Sequence, residues 1–290
     1  MNLSVLERRI RPEVVGHTLV GTTAPPLTDS APGYDEVTGA VHRLLADSPS
    51  PMSVMEIAYR LGMPRAAVAT SITALVRRRG GPLVQLSPAE PSPGFLRQAV
   101  SALTGDRTCH PVAGLASAKV LVTGPPRSGV STLVGTAAGH PPVRLLEEIP
   151  DRGGQLRSYC LEQGAVEVAP TGRLHLLAAP PPALFDVLWV DMTRGASALL
   201  ILVHSYRPWE AVPVLNAARD TRLPYVVVVN HVEGDHPDPR AVSERLGVDP
   251  DLLHITDVRS RTAARSVLAR VLRRVEARRH TSDRSPVGRH

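Results

Sequence analysis

Lys119–Gly135 reads KVLVTGPPRSGVSTLVG, and this stretch decides the fold of most of the chain. An apolar run, Val120 to Thr123, enters Gly124; a short loop, Pro125 to Ser128, reaches Gly129; Val130-Ser131-Thr132-Leu133-Val134 then reads as the opening of a helix. Strand, glycine-bounded loop and helix with Ser-Thr in its first turn are the layout of a P-loop, whose backbone N–H groups and helix N-terminus cradle a phosphate. In such a loop a lysine just before the Ser/Thr reaches the β- and γ-phosphates, and the hydroxyl holds magnesium. Here the spacing GxxxxGx[ST] is kept, but the lysine's position is Val130. The loop residues placed to hold a nucleotide are Gly124, Arg127, Ser128, Gly129, Ser131 and Thr132, with Ser131 a magnesium ligand only if nucleotide binds. Arg127 is the candidate replacement cation, because a guanidinium forks well onto phosphate; its position is not the lysine's.

Downstream, apolar strands alternate with helical patterns, which points to an α/β domain with a central, mostly parallel sheet. Ala165–Val168 and Leu174–Ala178 read as a pair of strands around Pro170-Thr171-Gly172. Ala198–His204 and Pro224–Asn230 are continuous apolar runs, as in strands buried on both faces, and Leu252–Thr256 is a last short strand. Helices are expected at Val130–Ala137, Leu184–Thr193, Trp209–Asp220, Pro239–Leu246 and Arg261–Arg279. His204 and His231 fall at the ends of the two central strands, where α/β sheets bind ligands; the bland reading, histidines satisfied by hydrogen bonds, is favoured over a shared metal.

Upstream, Val37, Val41, Leu44 and Leu45 have helical spacing, and Ser53-Val54-Met55-Glu56 is a capping box opening a helix to Leu61. A turn at Gly62-Met63-Pro64 precedes a helix over Arg65–Arg79, with Val68, Ile72, Leu75 and Val76 inward, and Pro82–Leu86 reads as a strand. Three helices and a strand make a small winged helix-turn-helix domain. Its third helix offers Arg65, Thr70, Thr73 and Arg77 outward for DNA phosphates or a protein partner. It lacks the Asn/Gln/Arg cluster that reads bases directly. Expected boundaries are a flexible segment at 1–32, the winged helix at 33–104, a linker at 105–117, the P-loop domain at 118–279 and a disordered tail at 280–290.

Composition sets outer limits. The chain has 290 residues, 43% hydrophobic but only 3% aromatic, so the cores must be built from Val, Leu and Ala. Net charge is +6, carried by arginine apart from a single lysine, Lys119. That balance permits contact with nucleic acid or an acidic surface. The two cysteines, Cys109 and Cys160, have no metal-site spacing and fit a reducing compartment. No apolar run approaches the ~20 residues of a membrane helix. A cytoplasmic protein without membrane insertion, peripheral at a membrane through a partner, is the expectation.

The second domain resembles the small Ras-like GTPases encoded in actinobacterial conservon operons, relatives of the MglA polarity GTPase. The stretches that carry this are GPPRSGVST, VDMTRGASALLILV (Val190–Val203), LPYVVVVNHVEG (Leu223–Gly234) and ITDVRSR (Ile255–Arg261). The first domain, from Ile10-Arg11-Pro12 to Phe95-Leu96, resembles the winged-helix domain of unknown function encoded beside those GTPases. The resemblance implies GTP or GDP with magnesium as ligand, Asn230 and Glu233 as base-reading residues, Asp257-Val258-Arg259 in the last base-contacting loop, and Glu147, Glu148 and Asp151 in switch I. It implies as partners a roadblock-type (MglB-like) regulator, a sensor-kinase-like protein or a sister GTPase. The departures are Val130 for lysine and Pro180-Pro181-Pro182 where switch II carries proline-glycine-glutamine. A proline has no N–H for a γ-phosphate. The expected function is a pseudo-GTPase signalling scaffold without catalytic residues; the alternatives are a slow GTP-binding switch and a winged-helix DNA-binding regulator.

Overall fold

The structure, a computed structural model, describes residues 19–22, 35–48, 50–77, 84–86, 91–106, 116–150, 155–169, 172–181, 186–231 and 237–283. The chain divides into two compact units, Met1–Ser87 and Pro88–His290.

In the first unit the order is β1 (Leu19–Thr22), α1 (Glu36–Ala46), β2 (Met52–Ser53), α2 (Val54–Leu61), α3 (Arg65–Arg77) and β3 (Val84–Leu86). The three strands form one antiparallel sheet in the order β2-β1-β3. Capping fixes the helix starts. Asp35 Oδ1 accepts from Thr38 N at 2.6 Å, and Ser53 Oγ accepts from Glu56 N at 3.0 Å, so one orphan donor of each first turn is satisfied. Gly62, in the left-handed region, ends α2 and turns the chain into α3. Val20, Val41, Leu45, Met52, Val54, Ile57, Val68, Ile72 and Leu75 form the core. This is a winged helix-turn-helix. Two details differ from the sequence reading. Val76, expected inward, is 37% exposed. The segment before α1 holds a strand, β1, whose Val20 is fully buried.

The second unit begins earlier than expected. The helix α4 (Pro93–Thr104) was placed with the winged helix on sequence grounds; instead Phe95, Leu96, Ala99 and Leu103 join the core of the P-loop domain. The physical reason is a partner for its apolar face: α4 lies along the last helix, α9 (Arg261–Asp283), with Arg97 paired to Glu276 at 3.3 Å and Arg279 donating to the Pro91 carbonyl. The linker region also contributes structure, since β4 runs from Ala116 to Thr123. The chain continues through α5 (Val130–Ala138), β5 (Val143–Pro150), β6 (Leu156–Ala169), β7 (Gly172–Ala178), α6 (Asp186–Thr193), β8 (Ala198–His204), α7 (Val212–Asp220), β9 (Tyr225–Asn230), α8 (Pro239–Leu246) and β10 (Leu253–Thr256). Seven strands form one sheet in the order β10-β9-β8-β4-β7-β6-β5. The pairs from β10 to β7 are parallel; β7-β6 and β6-β5 are antiparallel.

Side chains alternate across this sheet. Val120, Val122, Leu200, Leu202, Val226 and Val228 face α4, α5 and α9 in one apolar cluster. On the other face Leu121, Leu199, Ile201 and Val203 are also fully buried, and α7 packs against β8. Lys119 is 2% exposed, and its Nζ donates to the Arg194 carbonyl just beyond α6, where helix carbonyls lack partners. Glu147 and Glu148, expected in a switch loop, lie in β5 at the sheet's edge. Residues 280–283, expected in a disordered tail, belong to α9, which continues to Asp283. Residues 1–18, 23–34, 107–115 and 284–290 lie outside the described residues. No described helix is long and apolar enough to cross a membrane.

Candidate functional site

The C-terminal ends of β4, β8 and β9 bring the sequence-selected residues together. Between β4 and α5 the loop turns tightly, with Ser128 N donating to the Pro125 carbonyl at 3.1 Å. Two glycines are required by contact. A Cβ on Gly124 would lie 2.5 Å from the Leu202 carbonyl oxygen and 2.5 Å from Ser128 Oγ; one on Gly129, at φ 102°, would lie 2.4 Å from Asn230 Nδ2. Arg127 also has positive φ, 66°, and its side chain is exposed. Ser131 and Thr132 are exposed in the first turn of α5, while Ser128 is 1% exposed.

Asn230, at the end of β9, braces the loop. Its Nδ2 donates to the Ser128 carbonyl at 3.0 Å, and its Oδ1 accepts from Val258 N at 3.2 Å, tying the P-loop to the β10–α9 turn. His204, at the end of β8, adds a second brace that the sequence did not reveal: Nε2 lies 2.9 Å from the Pro126 carbonyl oxygen and 3.7 Å from Glu210 Oε2. In the β10–α9 turn, Arg259 forks onto Asp257, with Nη2–Oδ2 at 2.6 Å, and these hydrogen bonds hold the Asp257 carboxyl below its usual range. Glu233 and Pro182 lie outside the described residues, as does Asp151.

The phosphate side of the loop departs from the P-loop pattern in its residues. Val130 stands where the lysine belongs, and its side chain packs against the apolar cluster under α5 rather than offering charge. Pro180 is buried and Pro181 half-buried beside the loop's strand, neither with an N–H to give. Ala179 N is committed to the Val122 carbonyl at 2.8 Å. Asn230, expected from the resemblance to read a base, has both ends of its side-chain amide engaged in the brace. No group of three or more His, Cys, Asp or Glu side chains able to hold a metal occurs among the described residues; His204 and His231 do not form one.

On the first unit, the outward face of α3 carries the other candidates. Thr70 Oγ1 and Thr73 Oγ1 donate back to the Ala66 and Ala69 carbonyls at 2.9 and 2.8 Å, so these protons serve the helix itself. Thr70 is exposed, Thr73 and Arg65 half-buried; the Arg77 side chain lies outside the description.

Residues 39–79 match the IclR helix-turn-helix domain. No curated protein matches the sequence. Among solved structures, similarity is found to an S. thermophilus NFeoB mutant bound to GDP, at 17% identity and TM-score 0.42, covering 55% of this chain and 63% of that one. The G domain of the T. maritima FeoB iron transporter is similar at 13% identity and TM-score 0.40, over 54% of this chain and 98% of the domain. An Aquifex aeolicus Era mutant bound to GDP.AlF4- is similar at 14% identity and TM-score 0.34, over 49% of this chain and 52% of that one. The match spans less than two thirds of the NFeoB chain's own length. By its sheet order and P-loop, the second unit is a P-loop domain of the G-domain type, preceded by a winged helix-turn-helix.

Proposed function

We propose that this protein is a regulatory pseudo-GTPase, in which a G-domain-type unit has kept its fold, lost efficient nucleotide chemistry and acts by binding other proteins. One observation carries the reading: Val130 occupies the lysine position and, half-buried, packs against the apolar core. Charge-assisted hydrogen bonds contribute roughly 1.5–3 kcal/mol each, so losing the lysine alone lowers affinity by about ten- to a hundredfold. The braces from Asn230 and His204 tie the loop to its neighbours through this chain's own groups, which suits a scaffold. The partners that the family resemblance implies are a roadblock-type regulator, a sensor-kinase-like protein or a sister GTPase, in a conservon-like complex. The test is calorimetric titration of the full chain with GDP and GTP, with and without magnesium. The expected result is no binding in the micromolar range and partner capture unchanged by Ser131→Ala. Micromolar, magnesium-dependent binding abolished by Ser131→Ala would instead establish the slow switch.

The match of residues 39–79 to the IclR helix-turn-helix domain supports a second reading, DNA binding through α3. Arg65→Ala with Arg77→Ala then weakens binding to every sequence and lowers the slope of log affinity against log salt by about 2. A gel-shift series over salt checks this; binding that does not respond to these changes places the winged helix among docking modules.

A further inference from the structure

We infer that β5 is a self-pairing edge through which two copies of this chain join their seven-stranded sheets. β5 is the outermost strand, and among the described residues no strand pairs on its outer side. Exposed edges are ordinarily blunted by charged side chains, lysine above all, by an internal proline, by a bulge or by shortness; the charges of this edge, Arg144, Glu147 and Glu148, are of both signs. This edge is eight residues long, with its prolines confined to the end at Pro150 and the flank at Pro141-Pro142. It has a regular register with β6 from Val143↔Gln163 to Pro150↔Leu156. One face of this ribbon is open and mixed: Leu146 is 71% exposed, opposite the exposed Cys160, Leu156 is 65% exposed, and the Arg144–Glu162 ion pair lies on the same face.

The sequence of the strand, Val143-Arg144-Leu145-Leu146-Glu147-Glu148-Ile149-Pro150, selects the occupant. A two-fold interface is self-complementary. With the axis through Leu146, antiparallel pairing sets Leu146 against Leu146 of the second copy, Arg144 against its Glu148, Val143 against its Ile149 and Leu145 against its Glu147, and of the axes near the strand's middle it is the one that opposes unlike charges. Opposite charges facing each other across strands stabilise, and like charges oppose pairing. An axis at Glu147 would set glutamate against glutamate, and an axis at Leu145 would set Arg144 against leucine and Glu147 against valine. Arg144 Nε already donates to Glu162 at 2.9 Å with the side chain 64% exposed, so its terminal nitrogens are the part of the fork left for a second carboxylate.

Sedimentation of the full chain across the micromolar range tests this. The expected result is a monomer–dimer equilibrium. Arg144→Glu and Glu148→Arg each weaken it about thirtyfold or more, since the axis duplicates every pair, and the double swap restores it. Circular dichroism confirms that each variant is folded. A positional check uses Leu146→Cys with Cys109 and Cys160 changed to serine. Residues facing each other across strands have Cβ atoms about 4.5–5.5 Å apart, so this variant oxidises to a covalent dimer. Arg144→Cys does not, because the two copies of that position are four residues, ~13 Å, apart along the strand. A monomer at all concentrations, a dimer indifferent to both charge changes, or equal cross-linking at 144 and 146 overturns the proposal.

Discussion

Phe95→Ala lowers the stability of the second unit by about 3–5 kcal/mol, the range for removing a buried phenylalanine. For a unit of this size that moves its melting temperature down by roughly 6–20 °C. Phe95 is fully buried, and a Cβ added to Gly172 would lie 3.2 Å from its Cε2, so the ring rests on backbone at the start of β7. A cavity at that point separates α4 from the sheet, and the loss is carried by the P-loop unit although Phe95 precedes the loop by a long stretch of chain. Leu75→Ala is the control, because Leu75 is buried in the core of the winged helix. Calorimetry then shows each substitution shifting a different part of the unfolding profile. If Phe95→Ala moves the same transition as Leu75→Ala, the assignment of α4 to the second unit is wrong.

Gly124→Ala is the second large effect, about 3 kcal/mol and a fall of roughly 6–12 °C, at the upper end of the usual overpacking cost. The added Cβ meets the Leu202 carbonyl oxygen at 2.5 Å, and Leu202 lies in β8, paired between β4 and β9 in the centre of the sheet. A flexible side chain could move aside; a carbonyl of a central strand can do so only by parting β4 from β8. The measurement is a thermal melt in nucleotide-free buffer. Its outcome bears on function: a large loss there means that the P-loop glycine is held by packing alone, so its presence says nothing about phosphate. A variant melting like the parent chain would mean that the glycine serves something other than the fold.

The sequence made the strand–loop–helix around Gly124 legible because its signals are local: an apolar run, two glycines and a helix start. The buried strands β8 and β9 were legible as continuous apolar runs. Partners of amphipathic faces were not. Phe95, Leu96, Ala99 and Leu103 show that α4 has an apolar face, but periodicity does not say which core receives it. β5 was missed because Glu147-Glu148 breaks the apolar alternation of a strand, whereas its place in the sheet comes from backbone pairing with β6. β1 was missed because four residues carry too little pattern, and Val20 is buried only by tertiary packing. In the candidate site, Asn230 and the missing cation were visible as motif and departure. The His204–Pro126 contact was not, because it joins a strand end to a loop 78 positions away.

The burial of Lys119 has a consequence for the chemistry that proteins undergo after synthesis. It is the only lysine in the chain, and it sits 2% exposed with its ammonium engaged at the Arg194 carbonyl. Acetylation, ubiquitin attachment and amine-reactive labelling at lysine all need the side-chain amine within reach of a reagent or enzyme. The fold presents no lysine side chain to them, and the arginines keep their positive charge through every such reaction.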